Sequence, residues 1–343
     1  MIMKMKKLIS ILVLSFCIAF SITLHTEMIN DIEISNYYDS NILNLSDHTL
    51  DEFSNGLNLQ KFRLDTTDDF ISAVSFTLGT KHKIFNHTQL HKLYFKFEKY
   101  WNNDIKDNYF TGLSVKRFFS SKINLELKYL YYPEIYLNQY KSSWDSNDIY
   151  REFAYSKNFY KLRFFYKANN IFNFIYTSKF TQLFFNKYFT EYDSNQFENG
   201  IESRLSFFKL FKMNLGYSYK ISNAEGETAH SASDIYKDWS YKQDEYQVEL
   251  LFPAIKFIRM DLAIQLFYYE RYYTANNIED SYHINREDYN ISYDLELSQR
   301  LSDKFKLELF GSFKQRTTTS PYQYVVEDKN YNKYVLGIEV SYE

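Results

Sequence analysis

Two histidine arrangements are the first places in this sequence to look for chemistry. His87 and His91 stand four apart. On a helix that spacing would bring two imidazoles together over one metal ion. Their surroundings do not read as a helix, because Leu93, Phe95 and Phe97 alternate with Tyr94, Lys96 and Glu98. Alternation of this kind belongs to a strand, along which residues four apart are separated by about 13 Å. No metal site is assigned to them. His230 and Ser231 are adjacent and invite comparison with a Ser–His hydrolase, but they fall in a polar stretch that reads as a loop. Gly-rich phosphate loops, HExxH and GxSxG do not occur. No catalytic residue and no cofactor is expected, and the chain is not read as an enzyme.

The charged residues carry more information. Glu126, Lys128, Lys161, Arg163, Glu202, Arg204, Lys220, Glu249, Asp261, Asp294, Glu296, Lys306, Glu308 and Glu339 all occupy the polar parity of alternating segments. Charges of both signs facing an enclosed space would line a hydrated channel and set its ion selectivity. The same groups could instead pair across that space and hold a wall together. The formal net charge is only -3, which gives no field directed at nucleic acid or another polyanion. No nucleic-acid partner is expected.

The elements that must position these charges are strands. In the last segment Tyr334, Leu336, Ile338, Val340 and Tyr342 share one parity, while Lys333, Glu339 and Ser341 lie on the other. The same alternation runs through 212–222, 243–252, 257–270, 287–300 and 304–316; within Met213 to Ile221, Tyr246 to Phe252, Ile258 to Tyr268, Tyr289 to Leu297 and Phe305 to Phe313, Gly311 alone breaks the apolar parity. Aromatics make up 20% of the chain, with Tyr 34 and Phe 32, against Gly 8 and Pro 3, a composition suited to uninterrupted strands. A soluble sandwich would bury the apolar parity between two sheets. A transmembrane barrel would turn it outward to lipid.

Segment length and connection length favour the barrel. The alternating runs are near or above the roughly 9–11 residues that cross a bilayer with tilt. Short turns near Phe119–Lys122, Ser156–Asn158, Lys209–Phe211, Pro253–Ile255 and Ser302–Asp303 alternate with long polar loops near Pro133–Asn147, Ser222–Tyr241, Tyr273–Arg286 and Thr317–Asn330. Tyrosines near strand ends, Tyr129, Tyr131 and Tyr132, then Tyr268, Tyr269, Tyr272 and Tyr273, fit interfacial girdles. The final segment, Tyr331 to Glu343, resembles the C-terminal signal strand of bacterial outer-membrane β-barrel proteins, with Tyr342 penultimate where that class most often ends on an aromatic. The resemblance is to the porin-like class as a whole, over Leu57 to Glu343. It implies an all-β, antiparallel, up-and-down transmembrane barrel, recognition by the barrel-insertion machinery, and outer-membrane lipid around the wall.

Fourteen strands are expected, at 57–64, 70–80, 90–100, 108–117, 123–132, 148–156, 159–168, 197–208, 212–222, 243–252, 257–270, 287–300, 304–316 and 331–343. A further hairpin within Ile171 to Thr190 would make sixteen; twelve is the third alternative. Lys4, Lys6 and Lys7 precede an apolar run from Leu8 to Phe20, with Ala19 and Ser21 at the small-residue positions of a cleavage site. Residues 1–21 therefore read as a signal peptide for export. The single cysteine, Cys17, falls within it, so the exported chain would form no disulfide. Residues 22–56 read as a polar N-terminal arm or plug, and 57–343 as the barrel. The expected function is a channel or transport pore for small solutes, ahead of a structural or surface-binding barrel acting through its outer loops. A lipid- or polysaccharide-acting barrel enzyme ranks last.

Overall fold

A computed structural model of the chain describes residues 27–141, 149–207, 210–224, 237–255 and 260–342. The expected signal peptide and the His230–Ser231 pair lie outside the described residues. Fourteen antiparallel strands form one closed barrel. They are β1 (Glu27–Asp39), β2 (Asp69–Ile84), β3 (His87–Tyr100), β4 (Asn108–Phe118), β5 (Ile123–Lys141), β6 (Tyr150–Lys167) and β7 (Phe172–Phe185), then β8 (Ser194–Phe207), β9 (Phe211–Ala224), β10 (Tyr241–Ile255), β11 (Met260–Tyr273), β12 (Glu287–Arg300), β13 (Phe305–Thr319) and β14 (Tyr331–Tyr342). Each strand pairs with its neighbour in sequence, and β1 closes the ring on β14 from Ile32↔Tyr342 to Asp39↔Val335. Two short helices, α1 (Asp47–Ser54) and α2 (Gln323–Lys329), lie in connections. Among the described residues, 40–68, 101–107, 149, 186–193, 237–240, 274–286 and 320–330 share one end of the barrel. The turns 85–86, 119–122, 168–171 and 301–304, with Leu210, share the other. The tightest of these is a two-residue hairpin turn with Phe85 and Asn86 both at positive φ, 48 and 62, as a type I′ turn requires.

The period-2 alternation decides which face each side chain takes. Leu336, Ile338 and Val340 on β14, Leu93, Phe95 and Phe97 on β3, and Tyr293 and Leu295 on β12 stand exposed on one face. Lys, Glu, Ser and Asn fill the other. Concave faces bring side chains of non-adjacent strands together. On the polar face Tyr37 of β1 reaches past β2 to donate to Glu98 of β3 at 3.2 Å, and past β14 to lie 6.1 Å from the Phe310 ring of β13. The polar face is therefore the interior and the apolar face the exterior. Leaving a large apolar side chain in water forgoes about 1.5–3 kcal/mol, so an exterior belt of them calls for a lipid surrounding. Tyrosine hydroxyls mark where that belt ends toward the long loops. Tyr38 donates to Asp68 at 2.6 Å, Tyr217 to Asp244 at 2.6 Å, and Tyr268 to Glu270 at 2.7 Å. Their rings sit with the apolar side chains while the hydroxyls meet carboxylates. Of the tyrosines expected in girdles, Tyr132, Tyr269 and Tyr273 belong to the inner face instead, since their neighbours of opposite parity face out.

The strand number matches the expectation, but the partition differs in four places. Residues 57–64 are not a strand; they lie in connection 40–68, where Leu59–Lys61 make one 3-10 turn. The first strand is Glu27–Asp39, so the segment 22–56 is not simply an arm or plug: part of it is barrel wall. Its apolar parity, Met28, Ile32, Ile34 and Tyr38, is interrupted by Asn30 and Asn36, which hid the pattern. Asn36 is accommodated because its Oδ1 accepts from Ser72 at 2.7 Å. Ser156–Asn158 is not a turn but the middle of β6, where Asn158 is buried and accepts from the Tyr129 hydroxyl at 2.8 Å. The stretch Ile171 to Thr190 supplies one strand, β7, rather than a hairpin. One expected strand that does not form and one strand divided in two thus offset the two omissions, β1 and β7. Pro133 does not end β5 either, because bulges between Tyr132 and Ile135 and between Tyr136 and Asn138 absorb it. Pro253–Ile255 likewise lies within β10.

Glycine at 337 allows one of these inner contacts. A Cβ there would collide with the Phe310 ring and with Tyr37. Replacement Gly337→Leu should therefore overpack the β13–β14–β1 seam and cost about 1–3 kcal/mol. The check is the temperature at which the compact, unheated gel band converts to the unfolded one; an unchanged conversion temperature would remove this role from Gly337.

Candidate functional site

The interior wall is the one surface that collects the sequence-predicted charges. The strand register puts all fourteen of them on the same polar face. Glu126 stands opposite Lys116 on one side and Arg163 on the other, and Lys128 stands opposite Lys161. Arg163 lies 3.8 Å from Glu202, which also binds Arg204 at 2.5 Å. Lys220 bridges Glu245 at 2.8 Å and Glu198 at 3.4 Å. Glu249 accepts from Asn214, and Asp294 accepts from Ser292 at 3.1 Å. Asp261 sits opposite Ser298. Lys306 binds Glu308 at 2.8 Å and Glu296 at 3.5 Å, and Glu308 faces Glu339 directly across β13–β14.

The sign of the charge changes around the ring. From β3 to β7 the inner face carries Lys92, Lys96, Lys116, Lys128, Lys157, Lys161, Arg163 and Lys179, with Glu98 and Glu126 as its only carboxylates. From β12 through β14 to β1 carboxylates predominate, with Asp288, Asp294, Glu296, Glu308, Glu339, Asp31, Glu33 and Asp39 against Arg300, Lys306, Lys314, Arg316 and Lys333. Lys92, Lys116, Lys157 and Lys179 were not among the expected lumen residues. The signal that could have found them is parity: Lys92 shares it with Tyr94, Lys96 and Glu98.

At the long-loop end the described connections fold over the mouth. Ile42 and Leu43 of connection 40–68 pack with Leu64 on Tyr37, Ile71 and Tyr100, where Ile71 is fully buried. Ser46 caps α1 by accepting from the Thr49 amide at 3.2 Å. Lys329 at the end of α2 lies 6.0 Å from the Tyr140 ring of β5, far around the ring, and 5.2 Å from Tyr282, whose hydroxyl donates to Asp328 at 2.9 Å. Phe153, Leu183, Phe185 and Phe189 form a second cluster, covered by Tyr192 and Trp239. Lys106 reaches in from connection 101–107 to donate to the Tyr136 carbonyl at 2.9 Å, and burial pushes its ammonium down to about 8. Outside this lid a polar cleft of about 710 Å³ is lined by residues including Arg63, Trp101, Asn103, Asp107 and Glu152.

One buried polar node ties three loops together. The Asp238 amide donates to Asp280 at 2.7 Å, and Asp280 holds His283 Nδ1 at 2.8 Å. Arg286 grips Asp288 through two bonds of 2.9 and 2.6 Å, and Thr318 adds a third at 2.8 Å. The His283 ring lies 5.3 Å from Tyr273 and 6.3 Å from Tyr192. His87 and His91 are placed elsewhere, on the exterior of β3. There His91 stacks on His82 at 4.7 Å, while His87 lies against Phe119 at 5.7 Å.

No protein-family model and no curated protein matches this sequence. Among solved structures the chain is similar to OccAB3 of Acinetobacter baumannii, with 10% identity and a TM-score of 0.45 over 92% of this chain and 99% of that one. It is similar to a loop-deletion mutant of OmpT, an outer membrane protein of Vibrio cholerae, with 7% identity and a TM-score of 0.44 over 92% and 99% of the two chains. It is also similar to OccK1 (OpdK) of Pseudomonas aeruginosa, with 9% identity and a TM-score of 0.42 over 92% and 98%. The architecture of the present chain rests on its own strand pairing.

The His283 node makes the lid sensitive to acid. Burial pulls the His283 pKa below its ordinary 6.5, with Arg286 and Lys329 acting in the same direction and Asp280 against them. Released from the lid, the imidazole takes up a proton more readily than in place. Lid packing is therefore complete above pH 6.5 and weakens as pH falls from there toward the depressed value. Cleavage within 274–286 by a protease active across that range should rise on acidification, and His283→Gln should flatten the rise. Equal cleavage of the wild-type chain at every pH would show that His283 does not control the lid.

Proposed function

We propose that this chain is an outer-membrane channel for small polar solutes. The observation that carries the reading is a closed wall with an apolar exterior and a charged interior. In hydrocarbon every backbone N–H and C=O must be paired within the protein, which a closed barrel achieves. The strands, from 11 residues in β4 to 19 in β5, are long enough to cross. Charged groups on the inner face need water, and water in a through-going lumen conducts ions. Fourteen strands place the width between small barrels filled by side chains and the 16–18-stranded barrels that keep an aqueous channel. Export through residues 1–21 and insertion guided by the strand Tyr331 to Glu343 complete the reading, with outer-membrane lipid around the exterior. No step of covalent chemistry is assigned to it.

A second reading, surface binding through the outer loops, is favoured by the extent of the lid and by the polar cleft beside Trp101, which is 61% exposed. Binding loops on a rigid scaffold are a common use of such architecture.

The two are separated by conductance of detergent-purified, refolded protein in a planar bilayer, with gel mobility before and after heating to establish folding. A channel yields stable ohmic steps, and deletion of α2 from the lid should enlarge them. Folded protein that never conducts, with or without α2, would transfer the reading to loop-mediated binding.

A further inference from the structure

We infer that the solutes favoured by this channel are small anions, drawn along a lane of lysines on the β3–β6 sector of the inner wall. The inference rests on the channel reading above and names its substrate class.

Lys92 of β3, Lys116 of β4, Lys128 of β5, and Lys157 and Lys161 of β6 all face inward and are partly exposed to the interior. Several other lysines of the inner wall are neutralised: Lys96 lies 2.8 Å from Glu98, Lys220 2.8 Å from Glu245, Lys306 2.8 Å from Glu308, and Lys333 2.7 Å from Asp39. Among the described residues none of the five lane lysines has a carboxylate within ion-pair distance. Three of them have aromatic support instead. Lys128 lies 4.1 Å from the centre of the Tyr94 ring, Lys157 4.8 Å from Tyr132, and Lys116 5.1 Å from Phe118. A ring face steadies an ammonium without cancelling its charge.

The register makes the arrangement costly unless it is used. Lys128 pairs directly opposite Lys161, and Lys161 directly opposite Lys179. Like charges set opposite each other on one face of a sheet destabilise it. The nearby Glu126 stands opposite Lys116 and Arg163 and is shared among these cations, without an ion pair to Lys128 or Lys161, whereas Lys179 has its own carboxylate, Glu198. A passing anion supplies the missing counter-charge to each lysine in turn. Lysine suits this task because its ammonium is a compact, strongly hydrated point charge without the fixed bidentate fork of arginine, and so holds an oxyanion loosely.

The test is the reversal potential of the refolded protein across a potassium chloride gradient, followed by titration with inorganic phosphate. Chloride should permeate several-fold more readily than potassium, and phosphate should reduce the chloride current. In the double variant K128Q/K161Q the reversal potential should shift toward the potassium side and the phosphate effect should fall several-fold, with ohmic steps retained. K128Q and K161Q singly should each shift it part of the way, which keeps the test intact if the double variant does not fold. K122Q, which removes a lysine from the exposed 119–122 turn, should leave it unmoved. A conducting but unselective or potassium-selective wild type overturns the anion lane and leaves the channel standing. A lane variant indistinguishable from wild type overturns the lane as well. Folded wild type without conductance overturns both.

Discussion

Everything in this molecule depends on the pairing of β1 with β14. A sheet that ends on an unpaired strand exposes a row of N–H and C=O groups, which in hydrocarbon cost several kcal/mol each. The eight paired positions between Ile32 and Asp39 on β1 and Val335 and Tyr342 on β14 remove that row. Once the ring is closed, alternation along each strand needs no further instruction. One parity meets the surroundings and the other the interior, and the sequence can place Leu336, Ile338 and Val340 outside while Lys333, Glu339 and Ser341 go inside.

The interior is not a uniform polar lining. Aromatic and aliphatic side chains such as Phe110, Leu130, Phe159 and Ile175 occupy inward positions among the charges, and Ile175 is fully buried. They fill space and leave the charged groups as defined sectors. The basic sector of β3–β7 and the acidic sector of β12–β1 face different parts of the ring, so the lumen carries a field across its width. The lid completes the arrangement. Salt bridges and ring contacts link 186–193, 237–240, 274–286 and 320–330, and α1 of connection 40–68 touches α2, so the lid joins segments that come from widely spaced strands.

The wall was legible in the sequence because its defining interaction is local. A strand with one wet and one greasy face announces itself within ten residues, and β9 to β14 were read at nearly their observed limits on that signal. The same signal placed Glu126, Lys128, Lys161, Arg163 and the other expected lumen charges on one face. It failed where polar residues occupy the apolar parity, as Asn30 and Asn36 do in β1 and Ser156 and Asn158 do in β6. Asn36 and Asn158 are tolerated because they accept hydrogen bonds from Ser72 and Tyr129, partners on other strands that no local pattern reveals. The lid was illegible for the same reason. Nothing near Asp280 in sequence indicates that it will accept from the Asp238 amide, and nothing near Lys329 indicates Tyr140.

The seam also sets an order of assembly. Six strand pairs here are hairpins joined by four residues or fewer, so they can form while only a short stretch of chain is ordered. The β1–β14 pairs join residues at opposite ends of the described chain, and loop closure over that span exacts a large entropic cost before any bond repays it. Topologies dominated by such distant pairings fold slowly. Until the last strand arrives, both edges of the growing sheet are open templates for any other extended chain. The strand that completes the wall is thus also the one whose delay leaves the protein most exposed to aggregation.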